Sequence, residues 1–364
     1  MATKKLNYVS SKKVMSLPGR YNLILGPWSN GKSYATKAGC VEDCYKNKTR
    51  LALIRRLDKE NTDAKAENYF LDCPVEAITE GEYNGIVCYR QILYFATYNP
   101  DTAKWIKGQE LGRRFSLYEA YQTKSGVYQN FDYAIFEEFV TLDRYLNKEV
   151  YRLMRLISSI ARNDNIKVFM VGNTITPICP YYREFQLTNL PKQKQNTVDT
   201  YEMTNPEDGS KVKIAVYMTA PVDKKNGMFF GNIAKEADGG AFHCEEHQHG
   251  NFDDIIECQI LHTVVFCYEG YKFLARFLRD PHNDYYWYVE PKTTDIQDKT
   301  RTVGQLRTTS RYHTKQLDAL SPNEKKLFDY MALGKIAYCD NLTGTLFLQA
   351  LRGIEGVGAQ FDDI

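Results

Sequence analysis

The stretch 24-ILGPWSNGKSYATK-37 limits what this chain can fold into more than any other. It holds Gly26-x-x-x-x-Gly31-Lys32-Ser33, after the apolar run 21-YNLIL-25 and before a helix-forming segment from Lys32 to about Tyr45. A buried strand that passes through two glycines into a helix builds a cradle for phosphate. The glycines allow a tight loop whose N–H groups point inward. The helix N-terminus adds a favourable partial charge. Residues Gly26, Pro27, Trp28, Ser29, Asn30 and Gly31 would wrap the phosphates. Lys32 would reach the β- and γ-phosphates and Ser33 would hold Mg²⁺, so ATP with Mg²⁺ is the cofactor expected.

Such a cradle needs a sheet to carry it. The runs 50-RLALIRR-56, 131-FDYAIF-136 and 167-KVFMVGN-173 read as further strands. Residues 58–70 and about 144–161 read as helices, and 83–98 as strands of a small sheet closed by the turn Asn99-Pro100-Asp101. Strands alternating with helices predict an α/β domain with a mainly parallel sheet. Residues about 185–250 are rich in turn pairs and read as a connector. From about 256 the pattern changes to hairpin strands, 259–278 and 284–290, followed by helices over 322–333 and 343–352. The expected division is a motor domain over 1–190, a connector over 191–250 and a C-terminal domain over 251–364.

Hydrolysis of a bound nucleotide needs a metal-organising acid and a group that orients water. Glu137 and Glu138, at the end of the run 133–136, fit these two roles, because ligands of open α/β sheets sit at strand ends. Glu137 would support the metal and Glu138 would activate the water. Asn173 ends the next strand, where a polar group could sense the γ-phosphate or simply cap the strand.

The totals narrow the partners. A formal net charge of +2 over 364 residues announces no polycation, so any nucleic-acid surface is a local patch. No apolar run approaches the roughly 20 residues of a membrane span. Nine scattered cysteines and a polar, basic N-terminus fit a reducing cytoplasm with free thiols.

The order of motifs, the phosphate loop, then 134-AIFEEF-139, 160-IARNDN-165 and 168-VFMVGNT-174, resembles the DNA-packaging ATPases of small protein-primed tailed phages of the phi29 type. The resemblance covers about residues 20–180 and is looser in the C-terminal third. It implies the additional-strand, catalytic-glutamate branch of the P-loop fold. It also implies a homomeric ring, a pentamer in this family, at the portal of a procapsid in the host cytoplasm. There the ring would draw double-stranded DNA inward, with a structured prohead RNA as a further partner, and would be absent from the mature virion. The residue matching the family's intersubunit arginine is Arg162, and Lys124 matches a basic position acting across the same interface. Arg55 and Arg56 resemble an Arg-Arg pair that touches phosphate or DNA, and a plain surface pair is the other reading. Two departures stand out: Glu137 where the family has Asp, and the bulky Trp28 within the loop.

In larger packaging motors of this kind the second domain is an RNase H-like nuclease, which needs carboxylates for two metals. The run 259-QILHTVVF-266 has none, so a vestigial α+β domain of RNase H-like fold without a nuclease site is expected. Its basic residues Lys272, Arg276, Arg279, Arg301, Arg307, Arg311 and Lys315 could meet phosphates or form an ordinary mixed surface. The run 243-HCEEHQH-249, with Cys258 and His262, lacks a paired-cysteine knuckle and reads as a polar connector rather than a zinc site. Arg113-Arg114, with Lys104, Trp105 and Lys107, either faces DNA in the ring's channel or is a solvated turn. Two rival functions share the same site: another ring-forming translocase or helicase, and a nucleotide-binding scaffold that does not turn over.

Overall fold

The computed structural model describes residues 7–120, 131–141, 145–161, 166–176, 179–187, 189–205, 209–222, 247, 257–268, 271–292, 301–304 and 329–353. The chain divides into two compact units. One comprises Met1–Ile175 with Glu184–Ala241, the other Thr176–Arg183 with Phe242–Ile364.

The first unit is built on a nine-stranded sheet. In chain order its elements are α1 (Ser11–Met15), β1 (Tyr21–Gly26), α2 (Lys32–Asn47), β2 (Leu51–Arg55), α3 (Asp63–Phe70), α4 (Val75–Ile78), β3 (Gly85–Tyr89), β4 (Ile92–Asn99) and β5 (Lys104–Ser116). Then come α5 (Leu117–Ala120), β6 (Tyr133–Glu137), α6 (Glu149–Ile160), β7 (Lys167–Asn173), β8 (Thr197–Thr204) and β9 (Lys211–Met218). The strands lie in the order β3-β4-β5-β2-β6-β7-β1-β9-β8. From β5 to β9 all neighbours are parallel, and β4–β5 and β8–β9 are antiparallel hairpins at the two edges. β1 is buried at every position because parallel strands and helices enclose it, and parallel sheets of this kind read as continuous apolar runs. α2 contributes Ala35, Ala38, Cys40 and Val41 to one core with Ile24, Leu53, Ile135 and Phe169. α6 buries Val150, Leu153, Leu156, Ile157 and Ile160, the spacing of one helix face.

β7 lies between β1 and β6. That inserted strand separates the phosphate-loop strand from the glutamate strand, the arrangement implied by the additional-strand branch. It sets Asn173 beside Gly26 and Val171 beside Glu137.

Two segments differ from the expectations. Residues 104–116, read around Arg113-Arg114 as a stretch between strands, form the long strand β5, and its arginines are tied into the fold. Arg114 donates to Asp63 at 2.6 Å and Arg113 to Gln91 at 2.5 Å. The stretch expected to be a connector from 191 supplies β8 and β9, and β9 pairs with β1 itself. Its run 214-IAVYM-218 is buried throughout; the turn pairs around it masked a short parallel strand.

The second unit holds β10 (Gln259–Tyr268), β11 (Tyr271–Arg279), β12 (Tyr285–Pro291), β13 (Arg301–Gly304), β14 (Ile336–Tyr338) and a helix, Asn341–Gly353. The short helix α7 (Pro180–Glu184) comes earlier in the chain, so the last helix is α8. The sheet order is β13-β10-β11-β12-β14, an antiparallel meander with a parallel strand on each edge. Its core packs Phe266, Phe273, Phe277, Trp287, Tyr338 and Phe347, with Phe266 and Phe347 edge-to-face at 5.0 Å. Arg276 pairs with Glu290 at 2.6 Å and Arg279 binds Asn283 at 2.9 Å, so these two cations have partners within the fold. Lys272 is the exposed cation of β11; Arg307, Arg311 and Lys315 lie outside the described residues. Of the run 243–249 only His247 is described. Its ring nitrogen lies 3.1 Å from the Thr345 hydroxyl and its ring 5.1 Å from that of Tyr338, a histidine satisfied by the core beside α8. Among the described residues no three His, Cys, Asp or Glu side chains converge as a metal site.

Candidate active site at the strand ends

The loop between β1 and α2 owes its shape to sterics. Gly26 has φ +150°, and a Cβ there would sit 1.9 Å from the Thr219 Oγ1. Only glycine lets the strand end approach the end of β9 so closely. Thr219 in turn closes the back of the loop. Its hydroxyl donates to the Leu25 carbonyl at 2.8 Å and accepts from the Asn30 side-chain amide at 2.6 Å. The same amide donates to the Ala220 carbonyl at 3.1 Å. Ser29 has φ 56° and Gly31 φ 88°, and Gly31 serves as the cap of α2. Pro27 supplies a carbonyl to the loop interior, and Trp28 is about half exposed on its outer side.

Lys32 points back into this loop. Its ammonium is 3.1 Å from the Gly26 carbonyl and 3.2 Å from both the Asn30 and Asn173 side-chain oxygens, and it also donates to the Pro27 carbonyl. Burial lowers its pKa to about 7, against the opposing pull of the Glu137 carboxylate. Asn173 therefore meets the loop through Lys32 as well as through its register beside Gly26.

Glu137 is buried at the end of β6. The Ser33 hydroxyl donates to one of its oxygens at 3.1 Å, and the Tyr69 hydroxyl to the other at 2.6 Å. Burial raises the carboxyl's pKa, and the bonds from Tyr69 and Ser33 and the charge of Arg55 act against that rise. Glu138 follows with φ 55° and an exposed side chain. This reversal of the backbone sends adjacent carboxylates different ways, one into the loop and one to solvent. The turn is held by Arg56, which donates to the carbonyls of Glu138 at 3.1 Å and Phe139 at 2.8 Å. Arg56 is itself buried and paired with the buried Glu149 of α6 at 3.0 Å. So the reading of Arg56 as a surface or phosphate-contacting residue is corrected: it is a structural clamp behind the glutamate turn. Arg55 lies 5.3 Å from the Tyr69 ring.

The structure thus brings together Gly26, Pro27, Asn30, Gly31, Lys32, Ser33, Glu137 and Asn173 on the ends of β1, β6 and β7. Arg162 and Lys124 lie outside the described residues. Sequence reading missed Thr219, Tyr69 and Glu149. The apolar run before Thr219 was a usable signal; nothing in the local sequence marks Tyr69 or Glu149. The Ser33 hydroxyl and the Glu137 carboxylate, in contact at 3.1 Å, are hard oxygen donors of the kind Mg²⁺ selects, so these two residues fit that ion.

A phosphate loop, an inserted strand and a glutamate turn define a P-loop fold of the additional-strand, catalytic-glutamate branch. The chain belongs to the Podovirus DNA encapsidation protein (Gp16) family, whose model matches residues 3–213. The DNA packaging proteins of Bacillus phage PZA and Bacillus phage phi29 are each 24% identical to it over 196 residues, 53% of this chain and 54% of theirs. The chain therefore spans about half the length of the curated relatives it matches. Among solved structures, a chain of the bacteriophage Phi-29 viral genome packaging motor assembly matches with a TM-score of 0.56 at 18% identity, over 96% of this chain and 100% of that one. A chain of the Phi-28 gp11 DNA packaging motor matches with a TM-score of 0.51 at 15% identity, over 94% and 98% respectively. At these identities the likeness is one of fold.

Proposed function

We propose that this chain is an ATPase that drives double-stranded DNA into a viral procapsid, acting as a homomeric ring in the host cytoplasm. The observation that carries the proposal is the meeting of Lys32, Ser33, Glu137 and Asn173 at neighbouring strand ends, in a member of an encapsidation family. In this reading ATP displaces the loop oxygens from Lys32, whose ammonium turns to the β- and γ-phosphates. Ser33 and Glu137 would hold Mg²⁺, which would neutralise the phosphate charge. Glu138 takes a proton from the water that attacks the γ-phosphorus as the bond to the leaving ADP oxygen breaks. Asn173 reports the loss of the γ-phosphate to β7. Arg162 and Lys124 act on the nucleotide of a neighbouring subunit. The portal of the procapsid and a structured RNA complete the partners. The motor domain, by this account, runs through Thr219, and the second unit is an RNase H-like domain that does not cut DNA.

ATP hydrolysis by the purified chain tests this, with Lys32→Ala as control and with no nucleic acid, duplex or single-stranded DNA added. Turnover raised chiefly by duplex and lost in the control is expected. Preference for single strands would point to a helicase. Tight binding without turnover, persisting when procapsids are added, would point to a scaffold.

A further inference from the structure

Glu137 reaches two helices at once. The carboxylate spans two hydroxyls, Ser33 on α2 and Tyr69 on α3. Tyr69 is in turn fixed from several sides. Its backbone carbonyl accepts from the Lys37 ammonium at 2.6 Å, and that ammonium lies 4.7 Å from its ring centroid. The Arg55 guanidinium approaches the same ring at 5.3 Å. Lys37 follows Ser33 by four residues on α2, so both project from one face of that helix. Ser33, Glu137, Tyr69 and Lys37 therefore form a closed circuit that starts and ends on α2. Within it the Tyr69 hydroxyl holds the Glu137 oxygen that Ser33 does not.

We propose that Tyr69 is a positioning residue for the divalent-cation site, holding one oxygen of Glu137 so that the other stays on Ser33. The inference rests on the reading of this loop as a nucleotide–Mg²⁺ site. Glutamate and tyrosine then act as one unit. Groups that orient a metal-organising ligand in this way set cation affinity without touching the cation. They leave phosphate binding by the loop amides and Lys32 untouched.

The test measures binding of N-methylanthraniloyl-ADP by fluorescence, for the full chain and for Tyr69→Phe, Glu137→Asp and the double variant. Each is titrated in EDTA and again across a range of MgCl₂ concentrations. For Tyr69→Phe the affinity in EDTA stays at the unsubstituted level, while the Mg²⁺ concentration giving half the gain rises about tenfold. Glu137→Asp draws the carboxylate away from Tyr69, so adding Tyr69→Phe to it changes the Mg²⁺ requirement little further. A Mg²⁺ requirement unmoved by Tyr69→Phe would overturn the proposal. So would equal losses with and without Mg²⁺, which would make Tyr69 a packing residue only. Failure of the unsubstituted chain to bind the nucleotide at all would instead sink the nucleotide reading on which the inference stands.

Discussion

Lys32 shows how much chemistry a single side chain can set. In the free protein its charge is stabilised by loop carbonyls but opposed by burial, which brings its pKa to about 7. A bound phosphate favours the ammonium and raises that pKa. Below about pH 7 the free site already carries the proton. Above it, binding must take the proton up, so ADP affinity is expected to fall by about tenfold per pH unit between about pH 7.5 and the bound-state pKa. Calorimetry in two buffers of different ionisation enthalpy should show uptake approaching one proton at pH 8.5; binding without proton uptake there would contradict the assignment. Thr219 is the second residue-scale case. Thr219→Val keeps the shape but removes the hydroxyl that joins Asn30 to Leu25, at an expected cost of about 1–3 kcal/mol in chemical denaturation. Nucleotide affinity should fall with it, because the loop's back wall loosens. The loop itself was legible, since Gly26, Lys32 and Ser33 stand at a fixed spacing between a strand and a helix. Thr219 was not, because its duty comes from a strand that pairs with β1 from 189 positions beyond Asn30.

Elements follow the same division. β1, β2, β6 and β7 were readable because burial on both faces forces apolar runs, and α2 because it had to follow the loop. The edge hairpins were harder. β8 alternates exposed and half-buried residues at the sheet's rim, and the long β5 carries charges along its exposed half. Arg56 and Glu149 illustrate a limit of another kind. Adjacent arginines at the end of β2 look alike in sequence, yet one is a half-buried residue against a tyrosine ring and the other is buried. Its partner stands 93 positions away at the start of α6. Removing one member of a buried pair strands the other charge, so Arg56→Met is expected to cost about 3–5 kcal/mol of stability. Urea midpoints would show it. Replacing both residues with apolar ones of similar size should recover much of the loss, as the uncompensated carboxylate disappears. Turnover should not recover with it, because the Glu138 and Phe139 carbonyls would still lack their clamp.

At the scale of the whole molecule the central question is whether hydrolysis belongs to one chain or to its assembly. Lys32, Ser33, Glu137 and Asn173 come from one unit and meet without help. Arg162, the further cation expected to stabilise charge on the transferred phosphoryl, does not belong to this set. α6 ends at Ile160, just before the segment that holds Arg162. If Arg162 acts on a neighbour, a guanidinium delivered in trans is worth about 10³–10⁵ in turnover. Arg162→Ala should therefore bind ATP normally and lose nearly all procapsid-dependent hydrolysis. Mixing separates the trans role from a local one. Each Arg162→Ala subunit in a mixed ring would silence its neighbour's site, while Glu138→Gln silences its own. Where a subunit with Arg162→Ala adjoins one with Glu138→Gln, the intact Arg162 of the latter faces the intact Glu138 of the former. Rings mixed from the two inactive variants should thus regain measurable hydrolysis. No recovery at any ratio, with both variants shown to enter the same rings, would place Arg162 in its own subunit's site or in the fold.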